Sequence, residues 1–432
     1  MTETLIDQVL SNHKAFSSTL LGDRLEKIFE RHHVGIDPTD QDQNYYQESK
    51  RPNEVFFEYK EKDAYMLGYK LAKILLDQKK FFTEKYLNKR DFKIELTREY
   101  IAPLLAGLTQ TWFGIPGKGP NFESGPWKWD MDETSEQQRP ARCPGDFLAP
   151  SRGAFYPRPT ESIYDHAMRH GAKLKQSINK VKTTWATASS ESTDIGSLVA
   201  KMFPENREEE DLNLLGRNVI GSMIGMLPPM DANLRGILFD WIDQKSLWTL
   251  QGDIFKEKMK TAQDLNYDLA KKVLENDIAR SMRKRPAPDL LYRIAKKNGV
   301  IIDGEIHFDQ KHMDKSGSKI TKFYKGDMII LSLVSATQDR NYDSQDSTDV
   351  DVIFGGKRHK GPENPEGNVH ACPAQKMVMG SVLGFLTALL TAGKIQAMPA
   401  SLILEISDWE PILGPDKSDL YDIEDLAEIA TI

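Results

Sequence analysis

Cysteine is nearly absent. Cys143 and Cys372 are the two that 432 residues carry, which leaves no disulfide framework and fits a reducing compartment. Long apolar runs are missing too: the longest, residues 381–392, falls short of the ~20 residues that a bilayer-spanning helix needs. The opening Met1-Thr2-Glu3-Thr4-Leu5-Ile6-Asp7 has neither a basic segment nor an apolar core, so no secretory leader is read there and a cytoplasmic location is expected. Positive charge is not in excess, and the formal net charge of -7 argues against a general nucleic-acid binder. Nothing repeats, so residues 1–432 are read as a single large domain rather than an array. What is there, 39% hydrophobic and 28% charged residues, is the composition of an ordinary soluble globular protein.

One stretch organises the rest: Gly367-Asn368-Val369-His370-Ala371-Cys372-Pro373-Ala374-Gln375-Lys376, running into the apolar residues 377–392. A lone cysteine at a helix entrance is ordinarily a small packing residue. A helix N-terminus, however, offers unpaired N–H groups and a partial positive charge, which lower a thiol's pKa and stabilise a thiolate that ligates a metal. Cys143, in Cys143-Pro144-Gly145, has no histidine two positions before it and no long apolar helix directly after it, and is read as a structural thiol.

Apolar residues at three- and four-residue spacing predict helices over 20–29, 63–76 and 97–113, the last stopped by Gly114-Ile115-Pro116. Residues 117–159 change character: eight of the chain's 22 prolines fall between Pro116 and Pro159, which predicts a long loop or lid. A basic amphipathic helix is expected over 160–183. Residues 211–244 carry Leu214, Leu215, Val219, Ile220, Ile224, Leu234, Ile237, Leu238 and Trp241 at helical spacing. Pro228-Pro229 removes two helical N–H groups and predicts a kink or break there. Residues 300–335 read as strands, with Gly304, Gly317 and Lys325-Gly326-Asp327 as hairpin marks, and 402–406 reads as a further strand. The fold class is mainly α with a small β-region.

His370-x-Cys372 before an apolar helix resembles the heme-binding loop of the cytochrome P-450 superfamily, in which the histidine meets a heme propionate and the cysteine is the axial ligand. The family's Phe-Gly opening falls on Pro365-Glu366; Phe354-Gly355-Gly356 looks like that opening displaced, so that 353–372 is a heme-binding loop with an insertion. Further segments follow in family order. Gly114-Ile115-Pro116 is similar to a helix end in bacterial members; the 211–244 helix is similar to the one crossing the distal face of the heme. Arg283-Lys284-Arg285-Pro286 matches the arginine and proline of the Glu-x-x-Arg segment, with Arg280 at the glutamate position and Asp277 one turn back. Arg293 matches an arginine that pairs with a propionate, and Ser335-Ala336-Thr337-Gln338-Asp339-Arg340 is similar to the Ala-Asn-Arg-Asp-Pro segment. Ala15-Phe16-Ser17-Ser18 resembles a stretch that usually lies well inside the family's N-terminal region, which implies a shortened N-terminal part or a fusion partner.

The resemblance implies heme b, with Cys372 as iron ligand and His370, Arg293 and Arg283 as heme-binding residues. It aligns Gly225 with the glycine of the distal Ala-Gly-x-Asp/Glu-Thr motif and puts Leu227 and Pro228 where the proton-relaying acid and alcohol stand, with Ser222 or Asp231 as substitutes if the alignment slips a turn. Residues 223–230 are expected to line an apolar pocket. Three functions compete: a peroxide-using or hydroperoxide-isomerising enzyme like the domains of fatty-acid dioxygenase fusions, a dioxygen- and electron-dependent monooxygenase, and a heme-binding module without turnover. The expected partners are a small apolar substrate such as a fatty-acid hydroperoxide, a neighbouring or fused dioxygenase, and an acidic ferredoxin- or flavodoxin-type donor docking on Lys357-Arg358-His359-Lys360.

Overall fold

The computed structural model describes residues 3–29, 51–89, 91–114, 144–181, 196–202, 209–261, 266–317, 319–339, 349–356, 368, 370–397 and 403–407. Helices dominate them. The N-terminal part supplies α1 (Glu3–Ser11), α2 (Thr19–Phe29), α3 (Arg51–Glu58), α4 (Glu61–Leu87) and α5 (Ala102–Phe113). The middle supplies α6 (Pro144–Phe155), α7 (Glu161–Val181), α8 (Ser197–Met202), α9 (Glu209–Asp243), α10 (Ser246–Thr261) and α11 (Tyr267–Lys284). The short α12 (Gln310–Met313), α13 (Leu333–Asp339) and the apolar α14 (Gln375–Leu390) complete the set. Among the described residues no helix is long and apolar enough to cross a membrane.

The centre is the contact between α14 and α4, and glycines make it. A Cβ built on Gly380 would lie 2.1 Å from the Glu61 carbonyl oxygen, one on Gly384 2.4 Å from that of Tyr65, and one on Gly68 2.8 Å from that of Ser381. The two backbones therefore touch where side chains would otherwise hold them apart. Tyr100 adds a buried hydrogen bond of 2.6 Å to the Phe385 carbonyl. Burial pushes the Tyr100 phenol well above its ordinary value, so it stays a neutral donor.

Packed into the same core is α9, with Val219, Ile220, Met223, Ile224, Leu227, Met230, Leu234, Ile237, Leu238 and Trp241 all buried. Of the kink or break expected at Pro228-Pro229, the break does not occur: both prolines lie inside the helix. An interior proline costs about 3 kcal/mol, and buried apolar residues on both sides of the pair hold the two halves against one core. Segment 144–155, expected within the proline-rich loop, is likewise the helix α6, with Pro150 inside it; residues 115–143 lie outside the described residues. The remaining helix expectations, 20–29, 63–76 and 160–183, fall on α2, α4 and α7, and Gly114 caps α5 with φ 63°.

Among the described residues nine strands form three antiparallel sheets. The first has the order β1 (Phe16–Ser17), β3 (Leu290–Ala295), β7 (Met328–Ser332), and the second β2 (Phe92–Glu95), β9 (Ile403–Ser407), β8 (Lys394–Ala397). The third has β5 (Glu305–His307), β4 (Gly299–Ile302), β6 (Ile320–Phe323). Asp303 and Gly304 both have positive φ, the conformation of a two-residue hairpin turn between β4 and β5. Gly317 and Lys325-Gly326-Asp327 turn no hairpin: β6 pairs with β4, whereas β7 pairs with β3. The Gly326 turn instead passes the chain between sheets, its N–H bonded to the Ala295 carbonyl at 2.8 Å.

Candidate active site

The loop before α14 is built by short bonds to a segment well upstream. The Cys372 N–H donates to the Phe354 carbonyl at 2.7 Å, and Asn368 Nδ2 donates to the Gly355 carbonyl. Gly355 and Gly356 have φ of +83° and +96°, and a Cβ on Gly356 would come within 2.9 Å of Asn368 Nδ2. Glycine is needed here both for the left-handed backbone and for the close approach. The displaced Phe354-Gly355-Gly356 segment thus stands beside the cysteine; residues 357–367, including Lys357-Arg358-His359-Lys360, lie outside the described residues.

Cys372 is half-buried and three residues from the start of α14, whose N-cap position, Ala374, makes no side-chain capping bond. The first-turn N–H groups of that helix keep their positive end towards the cysteine loop. His370 has its Nε2 3.3 Å from Ser18 Oγ, and its backbone N–H donates to Asn368 Oδ1 at 3.1 Å. Arg293 sits on the central strand of the first sheet, opposite Ile329, only 6% exposed and with Nη1 donating to the Tyr292 carbonyl at 2.8 Å.

All three line one cavity of about 740 Å³, within the range of small-molecule and cofactor sites. Gly225, Met226, Pro228, Pro229 and Met230 of α9 line it as well. Leu227 does not: it is buried in the core. Of the two positions aligned with the acid and the alcohol, one therefore faces the core and the other presents a proline ring to the cavity. Ser222 lines the cavity with its hydroxyl donated to the Asn218 carbonyl at 2.7 Å. Asp231 is buried outside the lining and paired with Arg235; burial pushes its carboxyl above the usual aspartate value, and Arg235 pulls it partly back. Arg283 is not brought to the cavity. Its carbonyl accepts from Thr337 Oγ1 at 2.7 Å, which ties α11 to α13. Asp277 pairs with Arg280 on the surface of α11, and Cys143 lies outside the described residues.

Sequence reasoning missed two features of this cavity. Asn233 lines it while only 2% exposed; its Nδ2 donates to the Ala287 carbonyl at 3.2 Å and its buried Oδ1 has no partner among the described residues. It is one turn after Pro229 on an otherwise apolar stripe, a spacing that could have flagged it. Arg152, in the last turn of α6, and Arg158, just beyond that helix, line the cavity from exposed positions. Arg24 fixes that rim, donating to the carbonyls of Tyr156 at 2.7 Å and Pro157 at 3.0 Å and to Tyr292 Oη at 3.0 Å.

No family model and no curated protein matches the sequence. Among solved structures the chain is similar to a crystal structure of a cytochrome P-450, CYP102L1, with a TM-score of 0.54 over 93% of this chain and 89% of that one. The identity is 12%, so the likeness defines the fold: this chain has the cytochrome P-450 architecture.

Proposed function

We propose that this chain is a heme-thiolate oxidoreductase that acts on the oxygen–oxygen bond of an amphipathic, acidic hydroperoxide. The observation that carries the reading is the meeting of Cys372, His370 and Arg293 on one cavity that α9 also lines. The donor set fits heme: a thiol beside a helix N-terminus supplies the soft axial ligand, and an imidazole and a guanidinium suit the two propionates. When bound there, the heme would supply the redox chemistry that breaks the peroxide bond.

The chain's own groups do the rest. Pro228 has no proton to relay, and the Ser222 hydroxyl is already donated to a carbonyl, so protonation of an oxygen molecule finds no dedicated acid on this face of α9. A hydroperoxide is already reduced by two electrons and makes less demand on such an acid. Asn233 Oδ1, buried and without a partner among the described residues, can accept the hydrogen bond of the hydroperoxide O–H and so orient it. Met226, Met230, Leu21 and Phe155 provide apolar lining for a hydrocarbon chain. Arg152 and Arg158 at the rim suit its carboxylate.

The purified protein is expected to convert a fatty-acid hydroperoxide with no reductase present. Turnover confined to reduced ferredoxin plus oxygen, with catalase added, would restore the monooxygenase reading.

A further inference from the structure

Away from the cavity, the segment joining β5 to α12 gathers two imidazoles and a carboxylate. His307 ends β5, Asp309 is the N-cap of α12, and His312 lies in that helix. The rings of His307 and His312 stack with centroids 4.2 Å apart and planes 12° from parallel. His312 Nδ1 is 2.7 Å from each Asp309 carboxylate oxygen, and the Asp309 side chain also accepts from the His312 backbone N–H. One ligand atom from each residue lies within 4.8 Å of the others.

The arrangement is held before any ion arrives. Phe308, between the ligands, packs its ring 6.0 Å from Phe16 and 6.2 Å from Phe323, while β5 is paired along its length with β4. The two imidazole side chains are about a quarter exposed, at 26% and 25%, and the carboxylate is at the surface, so an ion has an open approach. Two imidazole nitrogens with one carboxylate oxygen are the donors that zinc-class ions take, at about 2.0–2.2 Å from the metal. At that radius ligand atoms of a tetrahedral site are about 3.3 Å apart, so the imidazoles would have to rotate out of their stack to close on an ion. A further donor is Glu305, whose Oε2 is 3.9 Å from His307 Nε2.

We propose that His307, Asp309 and His312 bind one divalent transition-metal ion of the zinc class, with Glu305 or water completing the coordination, and that the ion clamps α12 to the third sheet. None of these residues lines the large cavity, so the site is independent of the reading given above. An ion bound at His312 Nδ1 would replace that nitrogen's contact with Asp309, the neutral imidazole carrying its single proton on Nε2.

The test is calorimetric titration of chelator-treated full-length protein with zinc chloride, beside thermal melts with and without zinc. Wild type should bind one zinc ion and melt higher with it. His307→Gln and His312→Gln should each weaken binding at least tenfold and abolish the thermal shift, while melting like wild type without metal. Asp309→Asn, which can still cap the helix, should weaken binding by a similar factor. The competing pair is His166 and His170 on α7, with ring centroids also 4.2 Å apart. Zinc binding that survives in the His307 and His312 variants but is lost in His166→Gln, or the absence of stoichiometric binding in wild type, would overturn the proposal.

Discussion

Adding one methyl group to Gly384 should unlock the helix that carries the cysteine loop. The Cβ would sit 2.4 Å from the Tyr65 carbonyl oxygen and 2.6 Å from the Tyr69 nitrogen, both backbone atoms of α4. Neither atom can rotate away, so α14 and α4 must separate by about 1 Å to reach van der Waals contact. Alanine brings a helix-propensity gain of about 1 kcal/mol over glycine, set against an overpacking penalty of about 1–3 kcal/mol plus the loosening of the buried Tyr100 bond to Phe385. The net expectation for Gly384→Ala is a destabilisation of about 1–2 kcal/mol, and more for Gly380→Ala, whose Cβ would lie 2.1 Å from the Glu61 carbonyl oxygen. Gly225 is the internal control: a Cβ there meets nothing within 4 Å. Gly225→Ala should therefore keep the propensity gain and stabilise the protein by about 0.5–1 kcal/mol. Urea unfolding followed by circular dichroism measures all three variants. Gly384→Ala as stable as wild type, or Gly225→Ala clearly less stable, would refute the packing argument.

Asn233→Leu, close in volume but unable to hydrogen-bond, should lower the kcat for hydroperoxide by about 10²-fold, the scale of one oriented hydrogen-bonding group; steady-state kinetics with cumene hydroperoxide, which has no carboxylate, separates this from binding. The double change Arg152→Gln with Arg158→Gln removes two exposed charges worth about 0.7 kcal/mol each after screening. It should raise KM for a carboxylated substrate about tenfold with kcat nearly kept, and added salt should raise the wild-type KM in the same direction. Burial raises the Asp231 carboxyl above its ordinary 3.8, so the native state holds that proton to higher pH than the unfolded chain does. This group's contribution to stability therefore falls as pH rises from the ordinary aspartate value through the raised one. Urea midpoints of Asp231→Asn and wild type, compared as the pH is raised from the ordinary aspartate value, should differ by that slope.

Much of the architecture was legible because it rests on periodicity. The stripes in 20–29, 63–76 and 211–244 became α2, α4 and α9, and His370-x-Cys372 located the loop that reaches the cavity. Pro228-Pro229 did not break α9, because local propensity was set against tertiary burial and lost; Pro150 likewise lies inside α6. The Lys325-Gly326-Asp327 turn was visible, but a turn does not name the strand that follows as a partner, and β6 and β7 belong to different sheets. The Phe354 carbonyl on the Cys372 N–H matches the opening that the sequence had displaced, whereas Arg283 stayed out of the cavity because its helix end is turned to α13. Arg152, Arg158 and Asn233 converge from separate elements, a juxtaposition that no window of sequence contains.

The central claim is thiolate ligation by Cys372. Its most direct test is the absorption spectrum of the heme-reconstituted, dithionite-reduced protein under carbon monoxide. The red-shifted Soret band of a thiolate-ligated heme is predicted for wild type and Cys143→Ala, and its loss for Cys372→Ala. A band that persists in Cys372→Ala, or never appears in wild type that retains bound heme, would contradict the claim.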